Sequence, residues 1–240
     1  MALSHSMEET GKILFKYRGQ IPAALFLIAV PVVYVTDYEL FDEDLRSALK
    51  GAAIFVSIIG FGIRIYTIGT SAPNTSGRNT QQQVADSLNC TGIYSVVRHP
   101  LYLGNYLMWA GIVLYTLNFW FFIIVSMLFW IYYERIMFAE ERYLERKFNG
   151  SFLNWSKHTP AFFPSFKQFK PSQYSFSLRK VLRKEYSGFL AMVVSFVFIE
   201  TLQKSFTAGT FTVDQISLMI LSLSIIFTLV IKLVAKKWSY

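Results

Sequence analysis

The sequence predicts an all-α integral membrane protein with about six transmembrane helices. Hydrophobic residues make up 53% of the 240 residues and aromatic residues 18%, so the chain is more apolar than an ordinary soluble domain. The apolar residues gather in stretches of roughly 18 to 20, the length that a helix needs to cross a bilayer of about 30 Å. These stretches are too long, and alternate too weakly, for the strands of a membrane barrel.

Six apolar stretches are the predicted spans. They cover residues 20–35, 48–68, 101–117, 119–138, 186–202 and 213–234. Pro100 should open the third helix, because a proline at the first helical position loses no hydrogen bond. Residues 139–150 should leave the membrane as a helix that is solvated on one side and ends at Asn149-Gly150.

The charges between these stretches alternate along the chain. Basic residues dominate the segments 1–19, 70–100 and 139–185 and the C-terminal tail, whereas the 37–44 connection is acidic and the 203–213 connection carries only Lys204. Basic segments stay on the cytoplasmic side of a membrane. The pattern therefore predicts six crossings with both termini in the cytoplasm, in the inner membrane if the protein is bacterial.

The net charge of +8 does not indicate a nucleic-acid surface, because the basic residues lie between apolar stretches and form no single solvated face. The single cysteine, Cys90, excludes an intrachain disulfide. The chain is therefore expected to be embedded in a membrane without a nucleic-acid partner, and its sequence indicates no oligomeric state.

One polar cluster interrupts this apolar chain. The stretch Arg-His-Pro-Leu-Tyr-Leu-Gly-Asn, residues 98–105, stands at the start of the third span, and Glu140-Glu141 stand at the end of the fourth. A helix N-terminus offers unpaired N–H groups and a positive dipole end, so Arg98 and His99 beside it suit a carboxylate or phosphate. Each of these residues could instead be structural, as a snorkelling arginine, a helix cap or a solvated helix end.

The cluster combines opposite charges with flat aromatic surfaces. Glu140 suits an ammonium group or sugar hydroxyls, and three tyrosines can face a ring or a cation: Tyr94, Tyr102 and Tyr106. A zwitterionic ligand that carries an aromatic base and a sulfonium would use all of these groups. S-adenosylmethionine is such a ligand, and a cofactor pocket at the cytoplasmic face is therefore predicted.

Residues 88–105, Leu-Asn-Cys-Thr-Gly-Ile-Tyr-Ser-Val-Val-Arg-His-Pro-Leu-Tyr-Leu-Gly-Asn, closely resemble the signature of the isoprenylcysteine carboxyl methyltransferase superfamily. That superfamily includes membrane phospholipid methyltransferases. The resemblance covers about residues 50–165 and includes the Glu-Glu pair and several downstream residues: Phe148, Phe152, Trp155 and Phe163-Pro164. It implies a methyltransferase that uses S-adenosylmethionine and no metal.

The resemblance also implies which residues bind the cofactor. These are Asp86 and Leu88 in the stretch before the motif, then Tyr94, His99, Pro100, Tyr102 and Glu140, with Glu141 as the near alternative to Glu140. Eukaryotic carboxyl methyltransferases place a substrate-binding arginine four residues before that glutamate, where this chain has Ile136, with Arg135 beside it. A second departure is the pair of spans beyond residue 185, because the eukaryotic enzymes end soon after the Glu-bearing helix.

The expected reaction is methylation of an anionic group on a membrane lipid or a lipid-modified substrate. The missing substrate arginine and the basic segment 167–184, with six cations and no acid, favour a lipid phosphate, such as the 1-phosphate of lipid A that bacterial enzymes of this kind methylate. Four residues are candidates for positioning the substrate: Arg98, Glu141, Arg64 and Arg135. Arg64 is included because a charge inside an apolar span should face a polar cavity or a partner. Glu141 could serve as the base if the acceptor were an amine.

Several alternatives stay open. The acceptor could be a prenylcysteine carboxylate or the nitrogen of phosphatidylethanolamine. Membrane sterol reductases, which bind NADPH, carry a similar Arg-His-Pro-x-Tyr stretch, and a non-catalytic membrane protein is the third class. The predicted organisation is an N-terminal helix pair (1–70), a catalytic core (71–166), and a basic segment with a C-terminal helix pair (167–240).

Overall fold

A computed structural model describes residues 3–72, Thr75 and residues 85–237. The regular structure of these residues is helical, apart from one isolated bridge between Gly92 and Lys170, which confirms the all-α prediction. The α-helices are α1 (Leu3–Lys16), α2 (Leu25–Val35), α3 (Glu43–Thr70), α4 (Pro100–Leu114), α5 (Phe119–Phe148), α6 (Gly150–His158), α7 (Leu178–Ala208) and α8 (Gln215–Lys237).

Four helices, α3, α5, α7 and α8, are long and apolar enough to cross a membrane. This confirms the integral membrane class. The other two predicted spans are shorter apolar helices, since α2 has 11 residues and α4 has 15. At 1.5 Å per residue, α4 is about 22 Å long, less than the bilayer core of about 30 Å. Where six spans were predicted, the described residues thus contain four full-length candidates and two short apolar helices.

The helix boundaries follow local signals in the sequence. Asp42 begins α3, because its side chain accepts a hydrogen bond from the Leu45 N–H at 2.7 Å, and Asn118 begins α5 in the same way. The fourth predicted span and the helix that leaves the membrane form one continuous helix, α5. It ends at Asn149, which has a positive φ of 41°.

Close packing of α3 on α4 brings the two halves of the site together. The Cα of Gly60 faces the Gly104 carbonyl and the Met108 N–H, so a side chain there would collide with backbone. Ser57 donates a hydrogen bond to the Met108 carbonyl at 2.7 Å. Small residues allow such close contact between membrane helices. Arg64, one turn beyond Gly60, is therefore held directly against α4.

Polar contacts connect the helices at both ends of the bundle. At one end, Lys50 contacts Glu200 at 2.6 Å and Lys204 contacts Asp214 at 2.7 Å. At the opposite end, which we call the carboxylate end, three pairs join different elements: Arg64–Glu185, Arg98–Glu141 and Glu8–Arg146. The predicted site residues lie at the carboxylate end.

The amphipathic helix α1 packs along the last turns of α5. Gly11 lies against the Arg135 carbonyl and the Ala139 side chain, and the Tyr132 hydroxyl donates to the Leu14 carbonyl at 3.0 Å. Phe15, near the end of α1, is buried in an aromatic cluster with Tyr102, Phe129, Tyr133 and Phe162. The N-terminal segment is therefore part of the packing around the carboxylate end.

Candidate active site

The loop from Gly92 to His99, which precedes α4, is held by the segment that follows α6. Gly92 has a positive φ of 61°, and its N–H donates to the Lys170 carbonyl at 2.8 Å. The N–H of Arg98 and of His99 donate to the carbonyls of Pro160 and Ala161, at 2.9 and 3.1 Å. This backbone pairing fixes the loop, so the side chains of Arg98 and His99 point in set directions.

Arg98 is bonded entirely to protein groups. Its Nε and Nη2 donate to the two carboxylate oxygens of Glu141, at 2.8 and 3.2 Å. Its Nη1 donates to the carbonyls of Ser156 and Thr159 at the end of α6, at 2.9 and 2.6 Å. The hydrogen bonds of Arg98 therefore connect the last turns of α5 to the end of α6.

His99 lies between the two glutamates at the end of α5. Its Nε2 is 2.9 Å from Glu141 Oε1, and its Nδ1 is 3.6 Å from Glu140 Oε2. The imidazole is buried, and burial alone lowers the pKa of His99, but the contacts with Glu140 and Glu141 outweigh burial and the pKa is raised. The two ring nitrogens of His99 therefore face one carboxylate each.

Aromatic rings form the wall of this cluster. The Tyr102 ring stacks on His99, with centroids 5.6 Å apart, and contacts Tyr133 at 5.0 Å. The Tyr102 hydroxyl interacts with the Glu140 carboxylate, so the two side chains face each other. Tyr94 lies within electrostatic range of both Glu140 and Arg64, and burial raises its pKa. Glu140 itself keeps about a third of its side chain exposed, at 33%.

Arg64 lies on the other side of these tyrosines and has a partner that the sequence did not identify. Its Nε and Nη2 donate to both oxygens of Glu185 on α7, at 2.8 and 2.7 Å. Its Nη1 donates to Asn105 Oδ1 at 2.6 Å, and the Asn105 amide donates to the Tyr133 hydroxyl at 3.2 Å. A buried network therefore connects α3, α4, α5 and α7 behind the cluster.

The structure does not bring all of the remaining predicted residues into contact with the cluster. Pro100 is buried at the start of α4, as expected. Arg135 donates from Nη1 to the Ile131 carbonyl of its own helix, at 2.9 Å. Asp86 is exposed and Leu88 is half-buried on the irregular segment before Gly92. Among the described contacts, none joins Arg135, Asp86 or Leu88 to Glu140.

Sequence reasoning assigned no role to three residues of this region. Asn105 was part of the motif but had no predicted partner, and Glu185 and Arg18 were not selected. Glu185 directly follows the acid-free segment 167–184, at the boundary of an apolar stretch. An acidic residue at the edge of an apolar span is expected to pair with a cation. In the structure its partner is Arg64. Arg18, in the turn after α1, interacts electrostatically with Glu140 and Tyr102.

An apolar groove of about 350 Å³ lies beside the cluster, between α4, α5 and the segment after α6. Its walls are Tyr106, Ser126, Met127, Phe129, Trp130, Ile131, Phe162 and Phe163. Phe129 and Phe162 also belong to the aromatic cluster around Tyr102. Met127 and Phe163 are 61% and 74% exposed, so the groove opens on the surface of the bundle. A long apolar group would therefore fit next to the polar cluster.

Comparison with known proteins connects this geometry to one family. Residues 51–151 match the sequence model of the family described as phospholipid methyltransferase. This segment is similar to the superfamily of isoprenylcysteine carboxyl methyltransferases and phospholipid methyltransferases. It contains Arg64, the Gly92 loop, α4 and the Glu140-Glu141 pair, whereas Arg18 and Glu185 lie outside the phospholipid methyltransferase segment.

Individual relatives are distant. The chain is 29% identical to the nickel-cobalt-cadmium resistance protein NccN of Alcaligenes xylosoxydans xylosoxydans over 59% of this chain and 62% of the relative. It is 28% identical to the cobalt-zinc-cadmium resistance protein CzcN of Cupriavidus metallidurans over 56% of this chain and 61% of the relative. It is also 28% identical to the protein-S-isoprenylcysteine O-methyltransferase of Schizosaccharomyces pombe, over 45% of this chain and 48% of that protein.

The chain thus spans about three fifths of the length of the two resistance proteins and about half of the isoprenylcysteine methyltransferase. No solved structure matches the chain.

Proposed function

We propose that the chain is an S-adenosylmethionine-dependent methyltransferase that methylates an anionic group on a membrane lipid. A lipid phosphate, such as the 1-phosphate of lipid A, is the first candidate for the acceptor. The observation that carries the proposal is the partly exposed Glu140 carboxylate facing Tyr102 and His99 beside an apolar groove, all inside or next to the phospholipid methyltransferase segment.

The residues of the cluster fit the methyl donor. Glu140 is an accessible carboxylate among aromatic faces, a combination that binds ammonium and sulfonium groups. Tyr94 and Tyr102 supply the flat surfaces, and the N-terminus of α4 supplies backbone N–H groups. The bound donor would supply an electrophilic methyl group on a sulfonium. The chain's own residues hold the donor, orient the acceptor and exclude water from the space between them.

The hydrogen bonds of Glu141 support an anionic acceptor. Methylation of an amine requires a base that removes a proton, whereas a phosphate or carboxylate is already ionised. Glu141 Oε1 contacts both Arg98 Nε and His99 Nε2, and Oε2 contacts Arg98 Nη2. A carboxylate held in this way is a poor base. In this proposal Glu141 and Arg98 position the loop, and the acceptor needs no deprotonation.

The groove supports a lipid acceptor. Its walls are almost entirely apolar, and the Tyr106 hydroxyl and Ser126 form one polar pair within it at 3.2 Å. An acyl chain in the groove would bring its head group to the polar cluster. Arg64, with Asn105 and Tyr133, would form the wall on the other side of the acceptor. We assign no role to Arg135, which bonds to its own helix.

The names of two relatives concern resistance to metal ions. Among the described residues, no group of three or more histidine, cysteine, aspartate or glutamate side chains is placed to hold a metal ion. The proposal for this chain therefore rests on the methyltransferase match. We further propose that the carboxylate end faces the cytoplasm, because the basic segments 139–185 and 1–19 lie at that end.

The proposal is tested by methyl transfer with the full chain in proteoliposomes. Labelled S-adenosylmethionine is added with a total lipid extract, and the extract is analysed by mass spectrometry. We expect one lipid class to gain the mass of a methyl group, on a phosphate. A carboxyl methyl ester on an added prenylcysteine would instead support the prenylcysteine alternative, and N-methylation of phosphatidylethanolamine would support the amine alternative.

A binding experiment separates the other classes of function. Calorimetry compares S-adenosylhomocysteine with NADPH, using the wild type and His99→Ala. We expect binding of S-adenosylhomocysteine by the wild type and weaker binding by His99→Ala. Binding of NADPH alone would favour a reductase, and binding that His99→Ala leaves unchanged would favour a non-catalytic protein.

A further inference from the structure

Tyr133 has a buried hydroxyl whose direction of hydrogen bonding is fixed by two other side chains. Arg64 Nη1 donates to Asn105 Oδ1 at 2.6 Å, and Asn105 Nδ2 donates to the Tyr133 hydroxyl oxygen at 3.2 Å. Because an arginine can only donate hydrogen bonds, the amide of Asn105 must turn its oxygen to Arg64 and its N–H groups to Tyr133. The Tyr133 oxygen is therefore the acceptor in this contact.

This arrangement leaves the proton of the Tyr133 hydroxyl for another group. A phenol can donate one hydrogen bond in addition to those it accepts, and no hydrogen bond in the described part of the chain has the Tyr133 hydroxyl as its donor. Tyr133 is 3% exposed, and a buried donor without an acceptor is destabilising. The neighbouring Tyr132 differs, because its hydroxyl donates to the Leu14 carbonyl at 3.0 Å. Tyr133 can thus donate to a ligand without losing a bond within the protein.

Tyr133 lies between the apolar groove and the Glu140 carboxylate. Phe129, Tyr133 and Glu140 are four and seven residues apart on α5, so they share one face of this helix. The Tyr133 ring stacks on Phe129, a wall of the groove, with centroids 4.1 Å apart, and contacts Tyr102 at 5.0 Å. A lipid whose apolar chain lies in the groove and whose head group approaches Glu140 would pass Tyr133.

We propose that the Tyr133 hydroxyl donates a hydrogen bond to an anionic oxygen of the lipid acceptor. The inference rests on the proposed function and names a binding residue for the acceptor's phosphate. Arg64 and Asn105 act through Tyr133 and are positioning residues, because they turn its proton away from the protein.

The contact is compatible with methyl transfer because a phosphate has more than one terminal oxygen. One oxygen accepts the hydrogen bond from Tyr133, and another attacks the methyl carbon of the donor. The oxygen–carbon bond forms as the carbon–sulfur bond breaks, and the electron pair of the broken bond stays on sulfur, which becomes a neutral thioether. Tyr133 keeps its proton throughout, so it orients the acceptor and does not serve as a base.

The first experiment is Tyr133→Phe, which removes the hydroxyl and keeps the ring against Phe129 and Tyr102. The full chain in proteoliposomes is assayed with labelled S-adenosylmethionine and the lipid fraction that gains a methyl group in the total extract. We expect the KM for this lipid to rise about tenfold while kcat and the Kd of S-adenosylhomocysteine are retained. The matched control is Tyr132→Phe, which should keep the wild-type KM, because its hydroxyl already donates to a carbonyl.

The second experiment changes the direction of the hydrogen bond. Asn105→Asp leaves the Tyr133 hydroxyl in place but removes the amide N–H, so the new carboxylate accepts the Tyr133 proton. We expect the same rise in the KM for the lipid as in Tyr133→Phe, and no further rise in the double variant, because each change removes the same contact. Tyr133→Phe is the milder change and decides alone if Asn105→Asp is not recovered as folded protein.

Two results would overturn the inference. One is a KM for the lipid in Tyr133→Phe that equals those of Tyr132→Phe and the wild type. The other is a weaker affinity for S-adenosylhomocysteine with an unchanged KM for the lipid, which would place the contact on the methyl donor. Both differ from failure of the proposed function, in which the wild type itself transfers no methyl group to lipid.

Discussion

At the scale of single residues, Glu140 is the partly exposed carboxylate of the candidate site, and its neighbours Tyr102 and His99 are buried. Its neighbour Glu141 is bonded to Arg98 and His99 and holds the loop in place, whereas Glu140 is reached by His99 and Tyr102 and stays a third exposed. Two adjacent carboxylates thus have different environments. One supports the fold locally, and the other can meet a ligand.

Glu140→Gln should weaken binding of S-adenosylhomocysteine by about tenfold or more, since a hydrogen bond to a charged group contributes about 1.5–3 kcal/mol. The measurement is the calorimetric Kd. Glu134→Gln is the matched control, because Glu134 is an exposed glutamate on the same helix. Equal affinities for the two variants would mean that Glu140 does not bind the donor.

The contribution of His99 to stability should depend on pH. Its pKa is raised above the ordinary value of 6.5, so its contribution to stability is complete below that value and is lost as the pH rises through the folded-state pKa. As the pH is raised from about 6 to about 9, the Tm of the wild type should fall toward that of His99→Gln. A constant Tm difference between the two proteins over this range would contradict the assignment.

At the scale of elements, the Arg64–Glu185 pair joins α7 to the phospholipid methyltransferase segment. Glu185 is 4% exposed and meets the guanidinium through two hydrogen bonds. The helix pair after residue 177 is therefore attached to the site by a buried ion pair, and α1 is attached by packing on α5. The segment matched by the family is enclosed by elements from outside it.

Replacing one partner of the Arg64–Glu185 pair should lower the free energy of unfolding much more than replacing both partners does. Arg64→Leu or Glu185→Leu alone leaves an uncompensated buried charge, which costs about 3–5 kcal/mol, while the double variant should recover most of the loss. The measurement is thermal unfolding in detergent. Glu9→Gln, which removes an exposed contact with Lys12, is the control and should leave the Tm nearly unchanged. A double variant no better than the singles would argue against a simple pair.

At the scale of the whole molecule, an apolar bundle presents one charged cluster and one apolar groove side by side. Close packing of α3 on α4 and the continuous helix α5 bring them together, since α5 carries groove residues in its first half and Glu140 in its second. In the proposed function, the charged cluster would hold the methyl donor and the groove would hold the apolar part of the acceptor.

Filling the groove should affect the lipid acceptor alone. Met127→Trp places a larger side chain in a groove of about 350 Å³, so the KM for the lipid should rise severalfold while the affinity for S-adenosylhomocysteine stays the same. Met219→Trp, at an exposed position of α8, is the control. An unchanged KM would indicate that the acceptor does not use this groove.

The sequence by itself determined the membrane class, the helical fold, the family resemblance and the pairing of the 98–105 motif with the Glu pair. The length of an apolar stretch, a helix cap and a compact motif are local signals. They can be recognised in the sequence without knowing which residues pack against them. The helix end predicted at Asn149-Gly150 is one such signal, since α5 ends at Phe148, directly before these residues.

Only the tertiary structure decided which charges pair. Arg64 and Glu185 are far apart in the chain, and only the packing of α7 against α3 brings them together. Tertiary packing also formed the ion pair between Arg98 and Glu141 and left the Glu140 side chain partly exposed. The structure also showed that α2 and α4 are shorter than the predicted spans, with 11 and 15 residues.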